Sequence, residues 1–267
     1  MSSRIYWFSG SGNSLKLAKE IAEDIDAELV PMASTKEVSL EGLDVVGMVF
    51  PVYAWGPPRL VERFAEGLDA PESGKPYVFA AITSGGAPGP SLSTTEKLLA
   101  HGGIKLDAGF AVRMPSNYPG FGGLPSLEKR RKKIASAEET IARIVDGVKS
   151  RQKGIWEDTP AIIRFFGRLG GPLHRGFVRS LEKAADKYGA DEKCTGCGVC
   201  ARICPTGNVT LVSGRPEWGN RCEACFACFH WCPEDAVQYG DKTTDEIRYH
   251  HPDVTLEEMM AMGKEEG

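Results

Sequence analysis

The sequence predicts an α/β fold, a doubly wound five-stranded parallel sheet with a second, smaller domain behind it. Three observations predict it. Apolar runs alternate with segments of helical spacing through the first half of the 267 residues, all eight cysteines fall between Cys194 and Cys232, and a 42% hydrophobic share suffices for a full core.

RIYWF is the first strand, and FSGSGNS turns it into a helix from Ser14 to about Asp26. AELVP and VVGMVFPV are the second and third strands; PPRLVERFAEGL is the next helix, with Pro57 and Pro58 suited to its first turn. PYVFAAITS leads to the helix SLSTTEKLLAHGG, which Gly102 and Gly103 stop. IKLDAGFAV is the fifth strand, and a long helix runs from about Ser126 to Ser150, closing a domain at 1–150.

Residues 151–188 read differently, with eight Lys/Arg against four Asp/Glu, a local +4 mixed with aromatics. A helical connector packed on one of the modules is the favoured reading. The other is a basic amphipathic surface for an acidic partner or for peripheral membrane contact. The cysteines occupy a domain at 189–241, and the acidic tail 242–267 carries a Thr255–Glu258 capping box but is assigned no chemistry. A formal charge of −4 and a pI near 5.8 give no footprint for nucleic acid. With no window of about 18 apolar residues and no signal-peptide pattern, the expectation is a cytoplasmic protein without a membrane span.

CTGCGVCARICP, with Cys194, Cys197, Cys200 and Cys204, recurs as CEACFACFHWCP, with Cys222, Cys225, Cys228 and Cys232, every cysteine and the following proline displaced by 28 positions. A duplicated C-x2-C-x2-C-x3-C-P run is the pattern of a bacterial-type ferredoxin with two 4Fe-4S clusters. Three thiolates at that spacing wrap one face of a cube, and the fourth is turned toward the other. Cys194, Cys197, Cys200 and Cys232 therefore make one ligand set, and Cys222, Cys225, Cys228 and Cys204 the other. A pair of zinc sites is the weaker alternative, because zinc does not require the third cysteine or the Cys-Pro ending. His230 is read as a bystander on the surface or beside the cluster, and the small module is expected to unfold without metal.

Ser9, Gly10, Ser11, Gly12, Asn13 and Ser14 offer hydroxyls and free helix amides to a phosphate. Leu15 stands where a dinucleotide fingerprint needs its third glycine, and no triphosphate loop motif is present. A terminal monophosphate suits such a loop; an ordinary capping turn is the alternative. Pro51, Val52, Tyr53, Ala54, Trp55 and Gly56 follow the third strand, where Tyr53 and Trp55 could stack on a planar ring or anchor the loop to the core. Thr83, Ser84, Gly85 and Gly86 form a glycine-rich loop after the fourth strand, suited to close backbone approach.

SGSGNS resembles the phosphate loop of flavodoxins, and the chain as a whole resembles the anaerobe electron-transfer proteins that fuse a flavodoxin-like domain to a two-cluster ferredoxin. The resemblance implies strand order 2-1-3-4-5, an α+β second domain, and FMN held by the three loops. It also places MPSNY, with Asn117 and Tyr118, near the same pocket, although that stretch reads equally as a Gly/Pro lid. The implied role is an electron carrier between redox partner proteins, passing electrons between the two clusters and FMN. The alternative is a flavin-dependent reductase of a quinone, nitro compound or unsaturated acyl group. A redox sensor in which 151–188 responds to cluster state is the third reading.

Overall fold

The computed structural model describes residues 2–35, 38–119, 124–156, 174–241, 243 and 247–263. The central part of the expected connector, 157–173, and residues 120–123 of the Gly/Pro loop lie outside the described residues, as do 242, 244–246 and 264–267 of the tail.

Ser3–Trp7 (β1), Glu28–Pro31 (β2), Val45–Pro51 (β3), Tyr77–Ser84 (β4), Ala108–Arg113 (β5) and Gly154–Trp156 (β6) build one parallel sheet in the order β2-β1-β3-β4-β5-β6. The first five places follow the doubly wound order of flavodoxin-type sheets. The sixth strand corrects the expected five. Gly154, Ile155 and Trp156 pair in register with Ala108, Gly109 and Phe110. Three residues with both apolar side chains about half exposed leave no alternation to read, so pairing alone defines the strand.

The helices are Asn13–Ile25 (α1), Arg59–Glu66 (α2), Ser91–His101 (α3) and Leu127–Lys149 (α4). Ser126 caps α4 by accepting from the Lys129 amide, and Gly102 closes α3. Pro58 is the N-cap of α2, so the prolines precede that helix rather than fill its first turn. β3 and β4 are buried almost throughout, as a sheet covered on both faces requires; Phe8, Phe50, Phe79 and Ile82 are wholly buried beside Leu17 and Ile21 of α1.

After helical residues 174–180, the cysteine module is made of short pieces: Tyr188–Ala190 (β7), Val199–Arg202 (α5), Val209–Val212 (β8), Arg215–Trp218 (β9), Ala227–His230 (α6) and Val237–Tyr239 (β10). β7 pairs with β10 and β8 with β9, both antiparallel. The tail ends in Leu256–Met260 (α7), with the Thr255 and Glu258 capping box formed. No helix among the described residues is long and apolar enough to cross a membrane.

Candidate functional site

The chain must leave β1 and enter α1 within a few residues, and Gly12 does this at φ 89° as the N-cap. No side chain caps α1, so its first amides face outward from the turn. Ser9, Ser11 and Ser14 are almost wholly buried. Ser9 Oγ accepts from the Gly12 amide at 3.1 Å, Ser14 Oγ lies 2.7 Å from Thr83 Oγ1, and Asn117 Nδ2 donates to Ser11 Oγ at 2.9 Å. Asn13 Nδ2 donates to the Pro115 carbonyl at 3.0 Å. Hydroxyls and amides thus converge where a phosphate would need them, and the fit to a phosphate-bearing group is good.

Tyr53 and Gly56 exchange both backbone hydrogen bonds, at 2.8 and 3.0 Å, with Ala54 and Trp55 at φ 46° and 67° between them. Two non-glycine residues in the left-handed region make this a strained turn, the kind found where a loop must meet something. It is held from behind by His174, whose Nδ1 lies 3.0 Å from the Tyr53 carbonyl oxygen and Nε2 3.2 Å from Glu62. A Cβ on Gly56 would lie 2.4 Å from that imidazole, which accounts for the glycine.

The loops after β1, β3, β4 and β5 enclose a cavity of about 300 Å³. Ser9, Gly10, Ser11, Asn13, Ser14, Pro51, Val52, Tyr53, Ala54, Thr83, Ser84, Gly85, Asn117 and Tyr118 line it. Gly12, Trp55, Gly56 and Gly86 do not. Gly12 and Gly56 shape their turns, Gly86 borders open space, and Trp55 is 41% exposed with its side chain against Gly89.

Three further contributors were missed by the sequence reading. Phe177 from the segment after the connector lines the cavity, and so do Ala224 and Phe226, on either side of Cys225. The tail supplies the rest: Tyr249 donates its hydroxyl to Asn13 Oδ1 at 2.6 Å, and the His251 amide donates to the Ser11 carbonyl at 2.8 Å. His230 is buried rather than on the surface. Its Nε2 bonds the Asn117 carbonyl at 2.7 Å, its Nδ1 accepts from the Tyr249 amide, and burial pushes its pKa down to about 3.

Cys194, Cys197, Cys200 and Cys232 surround one small cavity. Cys204, Cys222, Cys225 and Cys228 gather as a second group, near enough to raise one another's pKa. All eight are free thiols. Burial first, and the neighbouring thiols second, push Cys200 and Cys222 up to about 11, so charging either group calls for a cation in its midst. Four thiols in each group match the four cysteine ligands that a 4Fe-4S cube takes.

The duplication is visible in the backbone. Residues 196, 198 and 207 have positive φ, and so do 224, 226 and 235, each 28 positions later. The Asn208 amide donates to Cys204 Sγ at 3.2 Å and the Ala236 amide to Cys232 Sγ at 3.3 Å, again 28 apart. The left-handed positions are glycine in the first run but Ala224, Phe226 and Asp235 in the second. The comparison was available in the sequence, as TGCGVC against EACFAC.

The second run is packed into the loop region. A Cβ on Gly10 would lie 2.0 Å from the Cys225 carbonyl oxygen. Glu223, almost wholly buried, accepts from Arg63 Nη2 at 2.6 Å and from the Leu60 amide at 3.2 Å, while Arg59 Nη2 donates to the Cys222 carbonyl at 2.7 Å.

Against known proteins, residues 191–210 match the family model "4Fe-4S binding domain". No curated protein matches the chain. Similar solved structures include a flavodoxin from the domain Archaea (15% identity, 56% of this chain and 99% of that one, TM-score 0.39). Others are the two-electron reduced flavodoxin of Megasphaera elsdenii (21%, 53% and 98%, 0.36) and oxidised Flavodoxin 2 from Bacillus cereus (18%, 54% and 99%, 0.36). At such scores these likenesses carry no weight, and the fold stands on its own strand order. The chain thus joins a doubly wound parallel sheet of flavodoxin type to a C-terminal 4Fe-4S domain.

Proposed function

We propose that the chain binds one FMN in the cavity at the β1, β3, β4 and β5 loops and two 4Fe-4S clusters on its cysteine groups, and that it carries electrons between redox partner proteins. One observation supports this above the rest: Ala224 and Phe226, on either side of Cys225, wall the same cavity as the serine loop. FMN supplies one- or two-electron exchange and a 4Fe-4S cube single-electron exchange, so a chain holding both interconverts the two regimes. The protein's residues do the holding. Ser9, Ser11, Ser14 and the α1 amides suit the phosphate, the Tyr53 turn and Thr83 to Gly85 suit the ring edge, and Tyr118, Phe177 and Phe226 keep water away.

Cys197 is exposed, and Leu211, which borders the same small cavity, and its chain neighbour Val212 are 40% and 47% exposed, so the first group suits contact with a partner. The carrier reading is preferred to a small-molecule reductase because Trp55 stands outside the cavity and about 300 Å³ is near the lower end for ligand sites, leaving little room beside the flavin. Anaerobic purification with iron, sulfide and flavin quantified tests the reading. The expected result is about eight irons and one FMN per chain; a colourless protein, or zinc on the thiols, would overturn it.

A further inference from the structure

We infer that Phe226 is a positioning residue for the flavin, and that the duplicated cysteine runs have diverged into a half that walls the flavin cavity and a half that faces outward. The inference rests on the flavin reading above.

Positions 198 and 226 are duplicates, each the N-cap of a one-turn helix, at φ 76° and 60°. Glycine at 198 adopts that backbone without strain, whereas a bulky aromatic there is a genuine outlier. Asp235, the counterpart of Gly207, needs no special account, since aspartate tolerates this region. Phe226 does need one, and its surroundings supply it.

Its ring is 2% exposed, packed on Tyr239, Tyr188, Phe229 and His230 of its own module, and also stands edge-on to Tyr118, centroids 5.3 Å apart at 86°. Tyr118 in turn meets Phe177 edge-on at 6.4 Å. Three rings from three separate segments thus form one corner of the cavity, an apolar wall suited to a planar heterocycle. Residue 225, just before this ring, abuts Gly10 of the serine loop. A Cβ on Gly198, the duplicate of Phe226, would meet only Leu211, at 3.5 Å, and Cys197 beside it is exposed. At 198 and 226 one backbone is used twice, and the aromatic side chain stands in the copy that borders the cavity.

Phe226→Gly installs the residue that the first run uses at this φ, so the backbone conformation costs no strain, and the iron content reports whether the module tolerates loss of the ring. Phe226→Leu keeps apolar bulk without the ring, and Phe226→Tyr keeps the ring. The full chain is prepared anaerobically, and iron content, FMN affinity and the midpoint potential of the bound flavin are measured. All three variants are expected to hold iron as the parent does. FMN binding should weaken at least about tenfold in the Gly and Leu variants, with a displaced flavin potential in the latter, and both properties should return in the Tyr variant. Parental affinity and potential in the Gly and Leu variants would overturn the inference. So would loss of iron in step with FMN, which would mark the ring as filling for the cysteine module. A parent chain that takes up no FMN would overturn the flavin reading itself, a separate outcome scored before any variant is made.

Discussion

Trp231 donates its indole N–H to the carbonyl oxygen of Gly10 across 3.1 Å, joining the residue before Cys232 to the first loop of the sheet domain. The indole also stacks on His250 of the tail, centroids 4.4 Å apart. Serine loop, second cysteine run and tail are therefore joined through Trp231. Gly10→Ala should drive the Cys225 carbonyl away and reduce FMN affinity by more than about a hundredfold, read by flavin titration. Trp231→Phe removes one hydrogen bond and should lower stability by only about 1 kcal/mol in denaturant melts.

The Glu223 pairing predicts an order of effects. Arg63 is more than half exposed and can return to water, so Glu223→Gln chiefly weakens the bond to the Leu60 amide, about 2 kcal/mol. Arg63→Ala leaves a buried carboxylate with Arg59 no nearer than 3.9 Å and should be the more damaging, about 3 kcal/mol. Equal or reversed losses in urea melts would contradict this account of the interface.

Ala224 and Gly198 give opposite expectations from one backbone conformation. Ala224→Gly relieves a left-handed alanine while loosening the unfolded chain, and should fall between neutral and about 1 kcal/mol stabilising. Gly198→Ala, at φ 76°, should destabilise by about 1 kcal/mol. Thermal midpoints of the iron-loaded proteins, compared pairwise, check the contrast.

His251 is fully buried, its Nε2 has no hydrogen-bond partner among the described residues, and burial lowers its pKa to about 4. The unfolded chain binds this proton more readily, with a pKa near 6.5. Its contribution is therefore intact above about pH 6.5 and fades as pH falls toward 4, by roughly 2 kcal/mol. Stability of the parent should drop more steeply between pH 7 and 5 than that of His251→Phe; parallel curves would exclude His251 as the cause.

Much of this molecule could be read from residues alone. Five of the six sheet strands, the serine loop and both cysteine runs announced themselves through periodicity, glycine placement and spacing, which are local signals. β6 escaped because three residues at a sheet edge show no period. Trp55 reads from sequence either as a ring-stacking residue or as a loop anchor, and nothing local chooses between them; its side chain lies against Gly89. Tyr249 and His251 were invisible because their partners, Asn13 and Ser11, lie more than two hundred residues away. Phe226 was different: its signal was present, as the non-glycine member of a duplicated pair.

The tail's grip on the first loop has a consequence for biosynthesis. Ser11 and Asn13 leave the ribosome well over two hundred residues before Tyr249 and His251. The sheet can fold while the chain is still growing, but the loop's bonds to Tyr249 and His251 form only after those two residues have emerged. If the cavity holds flavin, as proposed above, a chain stopped before Tyr249 would keep the sheet while holding the nucleotide less tightly.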